Sequence, residues 1–532
     1  MEESVSAHSN NDLFLLAIVV VGVLITIVAS GLASRFRFSA PVALVVIGGA
    51  ISYVPGFPPF RLDPNWILFA ILPPLLYAAA IRTSIVDARA RKDPIILLSV
   101  VLVAYTVVVI GGFTWLVIPG VSLAAALAFG AVVAPTDAVA VGSVTRKAPL
   151  PRRVTTVLEG ESLLNDATAV AALNSAIAAI VATVTPVQVV GGFVLQAAGG
   201  VALGLVAGVV LGWVRKRLRE PVLDTSLSFA APFIAFVPAQ AVGASGILAV
   251  VVAGLYLSVR SPAIQSPEAR IAETLNWRTI SFLLENIVFL LIGLSLSGIV
   301  TTALHSRVPA WLIAVLAILV LVALLLSRLI WGLMLTAVFR WGPRRLRAES
   351  WHWHRTVVIS FAGARGVVTL AAALLLPAQT PQRGILQLLA LVVVIGTLLQ
   401  TLLLPALVRA LPSLRPPDLA QERSETRRLL SEAQESGLAA IAGMKLDDRV
   451  QARLRSDSTF LAESMKEMRE GGDRLHESYS KARRLTLKAE REAVLKARAE
   501  KRFHESAVRA VLRILDAEEV AFDQIERRAP SE

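Results

Sequence analysis

Leu158-Glu159-Gly160-Glu161-Ser162-Leu163-Leu164-Asn165-Asp166-Ala167-Thr168-Ala169 sits inside an otherwise apolar stretch, residues 154–182. As a helix, that stretch is long enough to cross a hydrocarbon core of about 30 Å. Glu159, Glu161, Ser162, Asn165 and Asp166 fall within eight residues of one another. Helical spacing puts Glu161 and Asn165 on one face, with Ser162 and Asp166 beside them. Side chains this polar are costly against lipid, so the stretch reads as a membrane helix with a polar flank turned into a bundle. Glu159 lies nearer the cytoplasmic end, where it can be partly wet. The blander alternative is a polar network that only fixes helix packing.

Outward from this stretch the chain keeps the same character. Of its 532 residues, 55% are hydrophobic, against about 45–50% in an ordinary soluble domain. The excess is gathered in about thirteen blocks of membrane-spanning length. They lie near 12–33, 39–54, 66–81, 94–118, 121–144, 154–182, 187–214, 224–240, 243–259, 279–299, 308–339, 356–377 and 384–409. The second and third are broken by Pro41, Pro73 and Pro74, and 224–259 can be split or joined. From residue 411 onward charge replaces the apolar blocks.

The loops test this count. Lys and Arg concentrate in cytoplasmic loops. After odd-numbered blocks come Arg35 and Arg37, then Arg82 to Lys92, Arg146 to Arg153, Arg215 to Arg219, Arg260 to Arg278 and Arg340 to Arg355. After even-numbered blocks come only Arg61, Arg307 and Arg383. The expected layout is an extracytoplasmic N-terminal tail (1–11), a transmembrane domain (12–410) and a cytoplasmic, charged helical domain (411–532). The net charge of +13 is then mostly topology, and nucleic-acid binding is not implied. Glu2 and Glu3 open the chain without Lys or Arg, so the first block is expected to be retained rather than cleaved as a signal. With no cysteine, disulfides and thiol chemistry are ruled out. In the tail, Val508, Val511, Leu512 and Leu515 follow one helix face, and Gly471-Gly472 is expected to break it into segments.

Few ionisable residues fall within the blocks away from their ends: Asp137, Glu159, Glu161, Asp166, Glu285, Arg328 and Arg365. Asp137 follows Pro135 and Thr136 in the fifth block. Proline frees a carbonyl and bends a helix, and such a break is tolerated in a membrane where it lines a cavity. Carbonyls and a carboxylate converging there suit a hard monovalent cation; a kinked helix with a capping Asp is the alternative. Arg365 is flanked by Gly363 and Gly366 in the twelfth block, which permits an unwound segment. Its position mirrors that of Asp137. An inverted 6+1+6 repeat with two broken helices crossing near the midplane accounts for both. Arg328 and Arg365 are expected to neutralise Glu161 and Asp137, leaving Asp166 as the unpaired titratable acid. Glu285 has no partner evident in the sequence. Gly200, Gly204, Gly208 and Gly212 make a smooth stripe for close helix packing.

Gly160-Glu161-Ser162-Leu163-Leu164-Asn165-Asp166-Ala167 resembles the signature helix of the monovalent cation:proton antiporter-1 family, which includes prokaryotic NhaP antiporters and animal Na+/H+ exchangers. Phe129–Asp137 resembles its broken helix, and Gly363-Ala364-Arg365-Gly366-Val367 its later arginine motif. Ser245–Ala249 and Phe289–Leu294 resemble further family stretches. The resemblance spans about residues 12–410 and is nearest the bacterial plasma-membrane branch. It implies a homodimer with an elevator-like core, no cofactor, and electroneutral one-for-one exchange, since Asn165 and not a second Asp precedes Asp166. It implies cation ligands at Thr136 (backbone oxygen), Asp137, Ser162 and Asp166, with Glu161 near or through water, and Asn165 holding the two broken regions together. Ala138 and Gln240 depart from the family pattern, which has Pro and often Glu there.

The expected function is therefore antiport of Na+ (or Li+) against H+, with both ions competing for Asp166. K+/H+ exchange on the same scaffold is the rival. An intramembrane protease built on Asp137 and Asp166, or on Gly243-Ala244-Ser245-Gly246, is remote, because no intramembrane His accompanies the serine. A continuous channel suits broken helices poorly.

Overall fold

The computed structural model describes residues 20–33, 35, 39–57, 63–83, 85–137, 150, 152–182, 185–306, 308–341 and 353–411, with scattered tail positions between 485 and 519. Every regular element among them is helical. The chain divides into two compact units, Met1–Pro416 and Pro417–Glu532. In the second, Leu485, Glu490, Lys496 and Leu515 are helical and Leu515 is buried. The N-terminal segment 1–11, Ala138, Gly471-Gly472, Val508, Val511 and Leu512 lie outside the described residues.

The main helices of the first unit are α1 (Val20–Ala33), α2 (Ala40–Ser52), α3 (Trp66–Arg82), α4 (Lys92–Val117), α5 (Leu123–Val133), α6 (Arg152–Val181), α7 (Pro186–Arg215), α8 (Pro221–Ala241), α9 (Gly246–Ile264), α10 (Pro267–Leu294), α11 (Leu296–Leu304), α12 (Ala310–Trp341), α13 (Trp353–Phe361), α14 (Val367–Leu374), α15 (Arg383–Thr401) and α16 (Leu404–Ala410). The described residues hold eight helices long and apolar enough to cross a membrane, and shorter apolar helices α1, α2, α3 and α5.

Local chemistry sets where these helices start. Proline occupies the first turn of α2, α7, α8 and α10, where its missing N–H costs nothing. Ser122, Ser245 and Ser266 accept bonds from the first-turn amides of α5, α9 and α10. α8 and α9 are distinct helices, separated by a turn in which Gly243 takes φ +74°, a left-handed conformation that glycine adopts freely. The helix expected over 279–299 instead begins at Pro267, because its charged first turns have an interior to pack into: Glu273 and Trp277 are buried.

Packing is close where glycine allows it. A Cβ at Gly204 would lie 2.7 Å from the Ala249 Cα, and Gly200 and Gly208 similarly abut α9. The glycine stripe thus seats α7 on α9. α2 and α10 meet through Gly48 and Gly293 in the same way. α5 is enclosed on all sides, with Ala125, Phe129, Val132 and Val133 fully buried, as a helix apolar all round should be. α7 is the opposite: Val187, Leu195, Val206 and Trp213 are exposed.

Two helices are interrupted. α5 ends at Val133 and the chain continues non-helically through 134–137. α13 stops at Phe361, residues 362–366 are largely unwound, and α14 resumes at Val367. The two breaks touch: the Asp137 amide donates to the Ala364 carbonyl at 2.8 Å.

Candidate functional site

The site forms where the two breaks meet the polar flank of α6. Pro135 cannot continue the α5 ladder, so Thr136 and Asp137 are presented from non-helical chain. Thr136 is the hub. Its hydroxyl donates to Glu161 Oε1 at 3.1 Å, stands 3.5 Å from Ser162 Oγ, and accepts from Asn165 Nδ2 at 2.8 Å. Glu161, Ser162, Asn165 and Asp166 all come from α6 and are buried.

The two arginines behave differently. Arg328, from α12, pairs with Glu161 at 2.7 Å and donates a second bond to its other oxygen at 3.0 Å. It also donates to the Ile359 carbonyl at the end of α13. Gly363 leaves room for it, since a Cβ there would overlap the guanidinium. Glu161 is thereby neutralised and tied to Thr136. Arg365 donates to the carbonyls of Val133 and Gly363, one on each broken segment, and its own amide donates to Thr397 Oγ1 at 2.9 Å. The expected Arg365 role of neutralising Asp137 is replaced by a backbone clamp, because helix breaks expose unsatisfied carbonyls and a guanidinium fork satisfies several at once. Asn165 reaches only the first break; the second is held by Arg365 and by the Asp137–Ala364 bond.

A cavity of about 400 Å³ opens onto this arrangement. Thr136, Asp137, Ser162 and Asp166 line it, whereas Glu161, Asn165, Arg328 and Arg365 stand behind. Gly366 lines it too, and a Cβ there would collide with the Asp137 carboxylate. Asp166 is 8% exposed and accepts no hydrogen bond from the described residues. Away from the breaks the cavity runs along α3 to Arg82 and passes Glu159 on α6 and Glu285 on α10. Both acids therefore share the cavity with Asp166. Chemically, this is a pocket with carboxylate, hydroxyl and carbonyl oxygens at its end, ligands suited to a hard cation or a proton.

The sequence pattern of the family described as "Sodium/hydrogen exchanger, transmembrane" matches residues 20–410. The chain belongs to the sodium/hydrogen exchanger family. Its members are transporters, not enzymes, and their substrates are the ions themselves. This exchanger is 30% identical to the uncharacterized Na(+)/H(+) exchanger YjcE of Escherichia coli (strain K12), over 80% of this chain and 81% of the relative. It is 30% identical to the sodium, potassium, lithium and rubidium/H(+) antiporter of Bacillus subtilis (strain 168), over 74% of this chain and 61% of the relative. In fold it resembles the solved sodium proton antiporter MjNhaP1 from Methanocaldococcus jannaschii, with a TM-score of 0.59 at 17% identity, covering 75% of this chain and 96% of that one.

The exchanger holds a second buried charge cluster, which its sequence announces only in part, since Arg215 reads there as a loop residue. Arg215 at the end of α7 pairs with Asp224 of α8 at 2.9 Å and with Glu273 of α10 at 2.8 Å. Gln265 bridges both acids at 2.7 and 2.8 Å. The Arg215–Asp224 spacing across a short turn is a local signal that can be read; Glu273, 58 residues from Arg215, carries none.

Proposed function

We propose that this exchanger carries Na+ (or Li+) against H+, one for one, by alternating access, with the two ions competing at Asp166. The observation that carries the reading is the contrast between the two buried acids of α6. Glu161 is held by Arg328 and Thr136, while Asp166 faces the cavity with no hydrogen-bond donor among the described residues. A carboxylate buried without a partner is costly to leave charged. Occupied by a cation or a proton it is neutralised, and an empty charged site crosses a low-dielectric barrier poorly. Exchange follows from that competition. Thr136, Asp137 and Ser162 supply the remaining ligands; Asn165, Arg365 and Arg328 organise them. Asn165 in place of a second acid supports electroneutrality.

The wider architecture belongs to the same proposal. Two touching breaks and the alternation of basic loops support about thirteen spans in a 6+1+6 inverted repeat. The N-terminal segment 1–11 then lies outside, domain 12–410 crosses the bacterial plasma membrane, and 411–532 is cytoplasmic. In that orientation the cavity, which reaches Arg82, opens inward. The exposed apolar face of α7 supports a homodimer. K+/H+ exchange remains a second reading, favoured by the potassium and rubidium in the name of the Bacillus subtilis relative.

The test is a pH-dye assay in proteoliposomes, with Na+, Li+ and K+ added in turn. Asp166→Asn should abolish cation-driven proton movement while leaving purified yield and melting temperature near those of the parent. Normal exchange by that variant would remove Asp166 from the mechanism.

A further inference from the structure

α14 carries one polar side chain, Thr369, among valines, leucines and alanines. Thr369 is 1% exposed, and its hydroxyl has no hydrogen-bond partner among the described residues. A buried hydroxyl left unpaired is destabilising, and its presence calls for a reason. Elsewhere in this chain a helical threonine turns its hydroxyl back to the carbonyl four residues earlier: Thr168 to Leu164, Thr274 to Arg270, Thr397 to Val393. For Thr369 that residue is Arg365, which lies in the unwound segment, so the helical turn that would present its carbonyl is missing. Thr26, Thr114 and Thr225 are also buried without a partner among the described residues, but none of them lines the cavity that holds Asp166; Thr369 does.

Its place on α14 sets it beside Asp137. Gly366 is the N-cap of α14 and Thr369 the third residue of the first turn. Side chains at these two positions meet, which is what makes a capping box possible. Gly366 has no side chain, and a Cβ there would lie 1.8 Å from an Asp137 carboxylate oxygen. The Asp137 carboxylate therefore stands where an N-cap side chain would stand, next to Thr369, yet the Thr369 hydroxyl is not bonded to it. A hard cation contacts its oxygens at about 2.3–2.6 Å, so two ligands of one ion stand up to about 5 Å apart. That is wider than a hydrogen bond. Oxygens that are neighbours without bonding suit a shared ion. The rest of this wall is apolar: Val367 and Val368 of α14, Leu72 and Leu76 of α3 and Phe289 of α10 line the cavity there.

We propose that Thr369 is a further cation ligand of the exchanger, its hydroxyl oxygen adding to the shell of Thr136, Asp137, Ser162 and Asp166. Those four come from the α5 break and from α6, so Thr369 is the side chain through which the second broken helix touches the ion. A cation gains from each added oxygen, whereas a proton needs only the one it binds. The neutral hydroxyl thus tilts the competition toward the cation without changing the charge of the site. The inference rests on the antiport reading and deepens it.

Thr369→Val keeps the side-chain shape and removes the oxygen. In choline buffer without Na+, its melting temperature in detergent should equal or exceed the parent's, because a methyl replaces an unpaired buried hydroxyl. In the pH-dye assay its half-saturating Na+ concentration should rise about tenfold, the loss of one bond between a charge and a neutral oxygen. The factor should be the same at acid and at alkaline pH. Thr369→Ser, which restores the oxygen, should reverse most of the rise. A melting temperature well below the parent's, failure to fold included, overturns the proposal by showing the hydroxyl to be structural. An unchanged half-saturating concentration, or Thr369→Ser no better than Thr369→Val, overturns it too. So does a rise confined to acid pH, which would place the effect on the proton alone. If the parent exchanges no cation, it is the antiport reading that fails. Na+-dependent melting then decides the ligand by itself: Thr369→Val should need more Na+ for the same rise in melting temperature, and an equal response overturns the assignment.

Discussion

Replacing Arg328 by glutamine removes the cation that holds Glu161 in the bundle. The pair is 2.7 Å apart, with a second bond of 3.0 Å, and the side chains are 4% and 1% exposed. At that separation and an effective dielectric of about 20, the Coulomb attraction is about 6 kcal/mol. Part of it offsets desolvation of the two ions, but breaking a buried pair from one side strands the other charge, at a cost of about 3–5 kcal/mol. Arg328→Gln also loses the bonds to the Ile359 carbonyl, so α13 loosens against α12. The assay is thermal unfolding of the purified protein in detergent, carried through a double-mutant cycle with Glu161→Gln. Arg328→Gln alone should lower the unfolding midpoint strongly. The double variant, which leaves no stranded charge, should recover at least half of the loss. A single variant as stable as the parent, or a double variant no better than the single, would refute the reasoning that Arg328 offsets the burial of Glu161.

Three further outcomes are expected. Gly366→Ala puts a Cβ into the Asp137 carboxylate, so transport measured by the pH-dye assay should be lost or its cation KM raised at least tenfold; unchanged KM would mean that Asp137 tolerates displacement. Arg215→Gln leaves Asp224 and Glu273 facing each other with only Gln265 between, and should destabilise the protein by about 3–5 kcal/mol. Adding Glu273→Gln should restore part of the melting temperature, and no recovery would argue against the charge imbalance as the cause. Asn165→Asp places a second acid beside Asp166, so exchange by the folded variant should respond to a membrane potential set with potassium and valinomycin; an active variant indifferent to the potential would refute the proposed link between Asn165 and electroneutral exchange.

Much of the site is legible in the residues alone. Buried charge in lipid is costly, so Glu161, Asp166, Arg328 and Arg365 stand out merely by interrupting apolar stretches. Periodicity puts Ser162 and Asp166 on one flank, and Pro135 and the glycines around Arg365 announce the two breaks. What stays hidden depends on partners far apart in sequence. Arg365 reads as a counter-charge, yet it clamps carbonyls of both breaks, because only the folded backbone reveals which carbonyls are left unsatisfied. Glu273 reads as part of a loop, because its partner Arg215 lies on another helix.

The sequence by itself determined that this chain is a multi-span helical membrane protein, since hydrophobic block length and the cost of intramembrane charge act on each segment independently; the exchanger family entered only through the resemblance of its motifs. Only the tertiary structure decided which acid is paired and which faces the cavity. Glu161 and Asp166 lie five residues apart on one helix and are both buried. They differ because α12 delivers Arg328 to one, while the meeting of two broken segments opens a cavity in front of the other.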